Sequence, residues 1–146
     1  MPIRKTVNKL IKKYGTRDPI KIASLMGIVV QYRQLKGILG YYQSYKRISV
    51  IHVAYGAPEG LIPFIIAHEL GHRLLHPDIN VPFLRANTFF SIDKIEQQAN
   101  QFAVELLIPD ELLLEGYTIH QAAKMSNVPL VIADLKTVPK FKRCIL

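Results

Sequence analysis

Two histidines and a glutamate near the middle of the chain have the spacing of a metal site. The stretch Ala67 to Pro77 reads AHELGHRLLHP, so His68, Glu69 and His72 form the pattern H-E-x-x-H, which is typical of zinc proteases. On a helix, side chains four residues apart project from one face about 6 Å apart, so two imidazoles can bind one ion. Zinc there lowers the pKa of a coordinated water toward ~7, and Glu69, roughly 100° around the helix from His68, can act as the base.

A catalytic zinc site needs a third protein ligand, and the sequence favours Glu96. Glu96 lies in the first turn of a predicted helix, IEQQANQFAVELL, whose same face carries the small residues Ala99 and Ala103. That helix can therefore approach another one closely. His76 is excluded, because eight residues of helix separate it from His68 by about 12 Å, and we interpret it as a helix C-cap or as a histidine that faces the helix dipole. The residues alone leave three other acidic side chains as alternatives for the third ligand: Asp78, Asp93 and Glu105. Two isolated histidines, His52 and His120, are disfavoured as ligands.

Segments before the motif predict a small β-sheet. Residues 28–32, 37–43 and 47–53 are rich in β-branched and aromatic side chains, and the last two are joined by a short polar turn. Such segments favour a small, mainly antiparallel sheet. Together with the predicted helices, they indicate an α+β fold.

Proline and capping residues set the predicted limits of the two central helices. The helix of the motif is predicted at residues 61–75 and ends before Pro77, since a proline disfavours helical geometry in the preceding residue. The next helix begins after a cap at Ser91 or Asp93 and ends before Pro109.

The two ends of the chain are also predicted to be helical. The first helix carries one apolar stripe with lysines elsewhere, which is typical of a surface helix packed by that stripe. Its stripe consists of Ile3, Val7, Leu10, Ile11 and Tyr14. Asp18 and Pro19 predict the start of a second helix that stops at Gly27. Residues 118–138 predict a helix, a tight turn and another helix, as in a helix-turn-helix, so we divide the chain into residues 1–115 and 116–146.

Composition limits the class of protein. The chain has 146 residues and a formal charge of +8, which favours anionic surfaces at long range. Its longest apolar run, residues 61–67, is far short of the ~20 residues of a membrane span, and its first residues lack the apolar core of a signal peptide. Cys144 is the one cysteine, which fits a reducing cytoplasm.

The residues around both helices resemble a known family. HELGHRLLHP, followed by FLRANTFFSIDKIEQQANQFAVELLIPD, is similar to the ImmA/IrrE-type metallopeptidases, and the similarity extends from the segment DPIKIASLMGI to Pro109. It pairs H-E-x-x-H with E-x-x-A-N-x-F-A-x-x-L-L-x-P. The resemblance implies a zincin-like metallopeptidase domain in residues 1–115, with a helix-turn-helix-like appendage after it. It also implies that His68, His72 and Glu96 bind zinc and that Glu69 is the catalytic base.

The resemblance also implies a reaction and a substrate. The protein would be a cytoplasmic endopeptidase that cleaves a helix-turn-helix repressor of the Cro/CI type, which derepresses genes of mobile elements, prophages or stress responses. Glu69 would move a proton from water to the leaving amine. The strand at residues 47–53 could pair with an extended substrate by strand addition. Candidates for assisting the oxyanion are Tyr41, Tyr42, Tyr55 and His120.

A second hypothesis is a non-hydrolytic regulator that contains metal and binds the repressor or DNA. The basic charge and the C-terminal helices support it. However, the last predicted helix, VPLVIADLKTV, offers Lys136 as its one basic residue, whereas a recognition helix presents several base-reading side chains. The sequence therefore argues against direct DNA recognition by this segment.

Overall fold

A computed structural model describes residues 2–78 and 93–139 of the chain, and it has the α+β composition that the sequence predicts. Its elements are, in chain order, α1 Ile3–Tyr14, α2 Pro19–Leu25, β1 Val29–Arg33, β2 Gly40–Tyr45, β3 Ile48–Ala54, a 3-10 helix Glu59–Leu61, α3 Ile62–Leu75, α4 Lys94–Leu107, α5 Asp110–Leu114, α6 Ile119–Met125 and a 3-10 helix Leu130–Leu135. The predicted cap at Ser91 and the lone Cys144 lie outside the described residues.

The two N-terminal helices form as predicted. The stripe of α1 is buried at Ile3, Val7 and Leu10, and α1 packs against α4 with its lysines exposed. Helix α2 begins at Pro19, and the Asp18 side chain accepts a hydrogen bond of 3.0 Å from the backbone N–H of Ile20. Local signals therefore set two of these limits: Gly15, in the left-handed region with a φ of 70°, ends α1, and the aspartate cap starts α2.

The sheet is mixed, so the prediction of a mainly antiparallel sheet was wrong for one strand. Its order is β1-β3-β2, in which β3 pairs with β1 in parallel and with β2 antiparallel. The chain passes from β1 into β2 and then turns tightly between Tyr45 and Ile48. Strand β3 thereby enters between the other two and runs in the direction of β1.

The central position of β3 also overturns the predicted strand addition at residues 47–53. Both edges of β3 already pair with neighbouring strands of the sheet. A peptide cannot add to a strand whose backbone groups are paired on both sides. The edges of this sheet belong to β1 and β2.

One face of the sheet packs on α3 through a close approach at β2. An added Cβ on Gly40 would lie 2.7 Å from the backbone oxygen of His52 and 2.7 Å from Cγ2 of Ile65. Any larger residue would force β2 away from β3 and α3. In β3 itself, Ile51 and Val53 are fully buried and belong to the hydrophobic core.

Helices α3 and α4 pack closely because small residues line their contact. A Cβ on Gly71 would lie 3.0 Å from Cβ of Phe102, and Ala99 and Ala103 are fully buried. Asp93 caps α4 by accepting a hydrogen bond of 2.9 Å from the N–H of Ile95. The close contact predicted from the small residues is confirmed, and it brings the first turn of α4 toward the motif on α3.

The C-terminal segment contains a helix, a turn and a 3-10 helix. Helix α6 begins with a capping box between Thr118 and Gln121. The second element was expected as an α-helix, but it is a six-residue 3-10 helix that follows Pro129, longer than most 3-10 helices.

Core residues of this C-terminal segment join the hydrophobic core of the rest of the protein, among them Ala122, Ala123 and Ile132. The domain division at residue 115 stays a prediction. In the parts of the chain that the structure describes, no helix has the combined length and apolarity of a membrane span.

Candidate metal centre

Helices α3 and α4 bring two imidazoles and one carboxylate to a single point. His68 and His72 project from one face of α3, and Glu96 reaches them from the first turn of α4. All three side chains are at most 1% exposed. The i, i+4 spacing on α3 and the small residues between the helices are the features that the sequence identified, and the structure combines them.

The distances between the three ligand atoms are those of a metal site. Nε2 of His68 lies 3.1 Å from Nε2 of His72 and 3.2 Å from Oε2 of Glu96. Nε2 of His72 lies 2.7 Å from Oε1 of Glu96. Ligand atoms around a tetrahedral zinc ion lie roughly 3.3 Å apart, since each bond is about 2.0–2.2 Å long. The three atoms therefore need little movement to hold one ion.

The charge of Glu96 suits a cation at this point. Burial acts to raise the pKa of Glu96, but the contacts with His68 and His72 outweigh burial and bring the pKa down to about 2. The carboxylate is therefore ionised at neutral pH. Three electron-rich atoms that face one another in a buried space are mutually unfavourable unless a proton or a cation lies between them, and a divalent ion satisfies all three at once.

Asn100 fixes the orientation of His68, a role that the sequence analysis missed. Oδ1 of Asn100 lies 2.9 Å from Nδ1 of His68, and both side chains are buried. With its Nδ1–H donated to Asn100, neutral His68 presents a lone pair on Nε2 toward Glu96. The available signal was spacing, because Asn100 is four residues after Glu96 and shares its face of α4.

Glu69 is the fourth polar residue of the site. It is fully buried, and burial is the largest effect that raises its pKa, to about 8. The charge of Glu96 also raises this pKa, while His72 and the backbone of Tyr42 on β2 lower it. Apart from this contact with the backbone of Tyr42, neither carboxylate oxygen of Glu69 has a hydrogen-bond partner within residues 2–78 and 93–139. A buried carboxyl group of raised pKa beside a metal site is suited to accepting and returning a proton.

The other histidines lie away from the three ligand atoms. His76 is the C-cap of α3, as expected, and burial lowers its pKa. His52 stacks on Tyr41 with ring centres 4.3 Å apart, and its Nε2 bonds to Gln43 at 3.0 Å. His120 is exposed and faces Asp134 at 3.6 Å.

The acidic competitors of Glu96 have other roles or positions. Asp93 caps α4, and Asp78 is exposed. Glu105 is buried and pairs with Arg4 at 3.2 Å and with Lys136 at 3.5 Å. The geometry thus favours Glu96 among the four carboxylates that the sequence left open.

The structure also shows the contacts of the four residues that are candidates for stabilising an oxyanion. The hydroxyl of Tyr42 and the Ser49 hydroxyl are 3.0 Å apart, and Tyr55 stacks near Tyr32 with ring centres separated by 6.4 Å. Tyr41 and His120 make the contacts already described. An oxyanion role for any of them stays a prediction.

The α+β fold and the buried His-His-Glu cluster are the features expected of a metallopeptidase, and the comparison with known families shows that class. More narrowly, the chain belongs to the peptidase family described as the IrrE N-terminal-like domain, whose model matches residues 23–134. The match includes β1 to β3, both central helices and every residue of the candidate metal centre. The predicted resemblance to the ImmA/IrrE family is therefore confirmed.

Two relatives match nearly the whole chain. The chain is 39% identical over 145 residues to uncharacterized immunity region protein 2 of Bacillus phage phi105, covering 96% of this chain and 92% of the relative. It is 31% identical over 142 residues to metallopeptidase ImmA of Bacillus subtilis strain 168, covering 92% of this chain and 83% of the relative.

Proposed function

We propose that this protein is a zinc-dependent endopeptidase whose ion is held by His68, His72 and Glu96. The convergence of three buried ligand atoms, 2.7 to 3.2 Å apart, carries the proposal. Two imidazoles and one carboxylate are an established donor set for catalytic zinc, which leaves a fourth position for water or substrate. Membership in a peptidase family supports it independently.

Glu69 is the proposed general base and acid. When bound, zinc supplies Lewis acidity, which acidifies water and polarises a peptide carbonyl. Glu69 takes the proton from the attacking water and then transfers it to the leaving amine. Burial raises the pKa of Glu69 to about 8, so the carboxylate binds a proton more tightly than an exposed glutamate does. A cation held by the neighbouring ligands would lower this pKa and leave the carboxylate free to accept the proton of water.

Strand β2 is the proposed binding edge for an extended substrate, in place of β3. It is an edge strand of the sheet, and the backbone of Tyr42 on β2 acts on the Glu69 carboxylate. A peptide that pairs with β2 would pass beside that carboxylate, with backbone hydrogen bonds providing affinity.

The proposed substrate is a helix-turn-helix repressor of the Cro/CI type in the cytoplasm, and cleavage would derepress mobile-element, prophage or stress genes. Similarity to an immunity region protein of a phage and to metallopeptidase ImmA supports this assignment. Direct DNA binding by the C-terminal segment is not part of the proposal. Lys136, which directly follows its last element, is 4% exposed and pairs with Glu105 and Asp110.

The test is cleavage of a helix-turn-helix repressor of the Cro/CI type. The purified full chain, loaded with zinc, is incubated with that repressor, and fragments are followed by mass spectrometry. Glu69→Gln is expected to slow cleavage by about 10²–10⁴-fold, the typical contribution of a general base. Glu59→Gln, a change of an exposed glutamate in the first 3-10 helix, is the matched control and is expected to cleave normally. Equal cleavage by Glu69→Gln and wild type would contradict the proposed mechanism.

A non-hydrolytic metal-containing regulator is the second candidate. The observation that favours it is burial, since Glu69 and the three ligand side chains are at most 1% exposed. A substrate must displace covering groups before it can reach them. Stoichiometric zinc, together with an intact repressor after prolonged incubation, would favour this candidate over the peptidase.

A further inference from the structure

A groove with an apolar floor and a basic rim lies between α1, the end of α2 and the end of α3. Its volume is about 240 Å³. Apolar side chains of all three helices form its floor, and two lysines of α1 form its rim. These residues are Leu10, Tyr14, Met26 and Leu74 on the floor, and Lys9 and Lys13 on the rim.

The rim has the geometry of a paired charge site. Lys9 and Lys13 are four residues apart on α1, so their side chains lie on one face, about 6 Å apart at Cβ. Nζ of Lys13 lies 5.3 Å from the centre of the Tyr14 ring, a cation–π contact that keeps the ammonium beside the floor. Among residues 2–78 and 93–139, none that lines the groove is acidic, and α1 itself carries no acidic residue. The charge of the groove is therefore not neutralised from within it.

We propose that this groove binds an acidic amphipathic helix of the protein substrate. Apolar side chains of that helix would fill the floor, and two of its carboxylates, one turn apart, would pair with Lys9 and Lys13. The identification of this helix as part of the substrate rests on the proposed peptidase function. The apolar and basic chemistry of the groove does not depend on that function.

The chemistry of the groove distinguishes a protein helix from other occupants. Nucleic acid binds through phosphates, which an apolar floor of leucine, methionine and tyrosine side chains does not satisfy. A second copy of this chain would bring another formal charge of +8 and another lysine-rich α1. An acidic helix complements both the floor and the rim, and charge complementarity of this kind also speeds association.

The groove and the candidate metal centre both include residues of α3, but they lie on opposite sides of this helix. Leu74 is two residues after His72, a rise of about 3 Å, and it lies on roughly the opposite side of a helix about 10–12 Å in diameter. A substrate anchored here would keep its neighbouring segments near Glu69. Anchoring raises the effective concentration of the segment to be cleaved.

The first experiment measures binding without hydrolysis. Zinc-loaded full-length protein carrying Glu69→Gln is titrated into a fluorescent peptide of about 15 residues, with one leucine-rich face and two glutamates four residues apart. Lys9→Glu/Lys13→Glu is expected to weaken binding at least about tenfold, and a peptide with lysines in place of the glutamates should recover it. The matched control is Lys5→Glu/Lys12→Glu, which makes the same charge change at exposed positions outside this groove and should change affinity less than about twofold.

A second readout locates the peptide. The chain has three methionines, of which Met26 lines this groove and Met125 lines a separate apolar groove beside Tyr117. In protein labelled at the methionine methyl groups, binding should shift the NMR signal of Met26 and leave that of Met125 in place. Signals are assigned with Met26→Leu and Met125→Leu.

The outcomes decide between the occupants. The proposal is overturned if both charge-reversal pairs lose affinity equally, if Met125 shifts in place of Met26, or if no saturable binding occurs. It is also overturned if duplex DNA binds with the Lys9 and Lys13 dependence expected of the peptide. All binding is measured with Glu69→Gln protein, which does not need to cleave anything. A failure to bind the peptide can therefore be distinguished from a failure of the protein to cleave the repressor.

Discussion

Nδ1 of His68 and Oδ1 of Asn100 lie 2.9 Å apart, in a buried contact that joins α3 to α4. The same two helices supply the ligand atoms of His68 and Glu96, which are 3.2 Å apart. Asn100 therefore ties the orientation of one imidazole to the helix that carries the carboxylate. The contact determines which nitrogen of His68 holds the proton and which one is free for a metal ion.

Replacing Asn100 should weaken zinc binding without unfolding the protein. Asn100→Ala removes the acceptor for the His68 Nδ1–H, so we expect zinc affinity to fall about 10–100-fold in a chelator competition assay. Asn100→Asp keeps an acceptor and should retain much more of the affinity. Gln101→Ala changes the neighbouring, partly exposed residue of α4 and serves as the control. Wild-type affinity in Asn100→Ala would contradict the role assigned to this contact.

Adding one methyl group at Gly71 should push α3 and α4 apart. The new Cβ would lie 3.0 Å from Cβ of Phe102, which is itself fully buried. We expect Gly71→Ala to lower the free energy of unfolding by about 1–3 kcal/mol in urea titrations and to weaken zinc binding as well. Gly56→Ala is the control, because an added Cβ there meets nothing within 4 Å. If Gly71→Ala is as stable as Gly56→Ala, close packing does not hold the metal centre together.

The buried ammonium of Lys136 should stabilise the attachment of the C-terminal segment. Its side chain is 1% exposed and pairs with Glu105 at 3.5 Å and with Asp110 at 2.6 Å. Lys136→Met leaves the buried Glu105 with one cation fewer, so we expect a loss of about 3 kcal/mol in the free energy of unfolding. Lys124→Met removes an exposed lysine of α6 and should change stability by less than about 0.5 kcal/mol. Equal unfolding midpoints for the two variants would contradict this expectation.

The same network should make stability depend on pH in acid. Burial acts to raise the pKa of Asp110, but hydrogen bonds from Arg4 and Lys136 outweigh it, so the folded pKa lies below the ordinary value of 3.8. A depressed carboxyl pKa contributes stability that is complete above the unfolded value and is lost as pH falls through the folded value. The stability difference between wild type and Asp110→Asn should therefore be constant above about pH 5 and shrink below about pH 4. Urea midpoints measured across this range check it, and a difference independent of pH would refute it.

Local signals in the sequence were sufficient for the elements that carry the site. Asp18 and Asp93 cap the helices that they were expected to cap. Helices α3 and α4 end before Pro77 and Pro109, where the proline ring restricts the preceding residue. These features depend on a few consecutive residues, so a single sequence contains them.

Features that depend on distant parts of the chain were not predictable in the same way. The tight turn between β2 and β3 predicts their antiparallel pairing. No short stretch of sequence, however, indicates that β1 pairs with the other side of β3. Asn100 likewise looks like an ordinary polar residue of a helix until α3 is packed against it. The choice of Glu96 among four acidic residues needed either the family resemblance or the packing of α4 on α3.

The central claim is that His68, His72 and Glu96 hold one divalent ion. Anomalous diffraction at the zinc absorption edge, from crystals of protein saturated with zinc, tests it most directly. We expect one strong peak about 2.0–2.2 Å from Nε2 of both histidines and from a carboxylate oxygen of Glu96. A site without anomalous density, or a peak bound by the histidines with the Glu96 carboxylate several ångströms away, would contradict it.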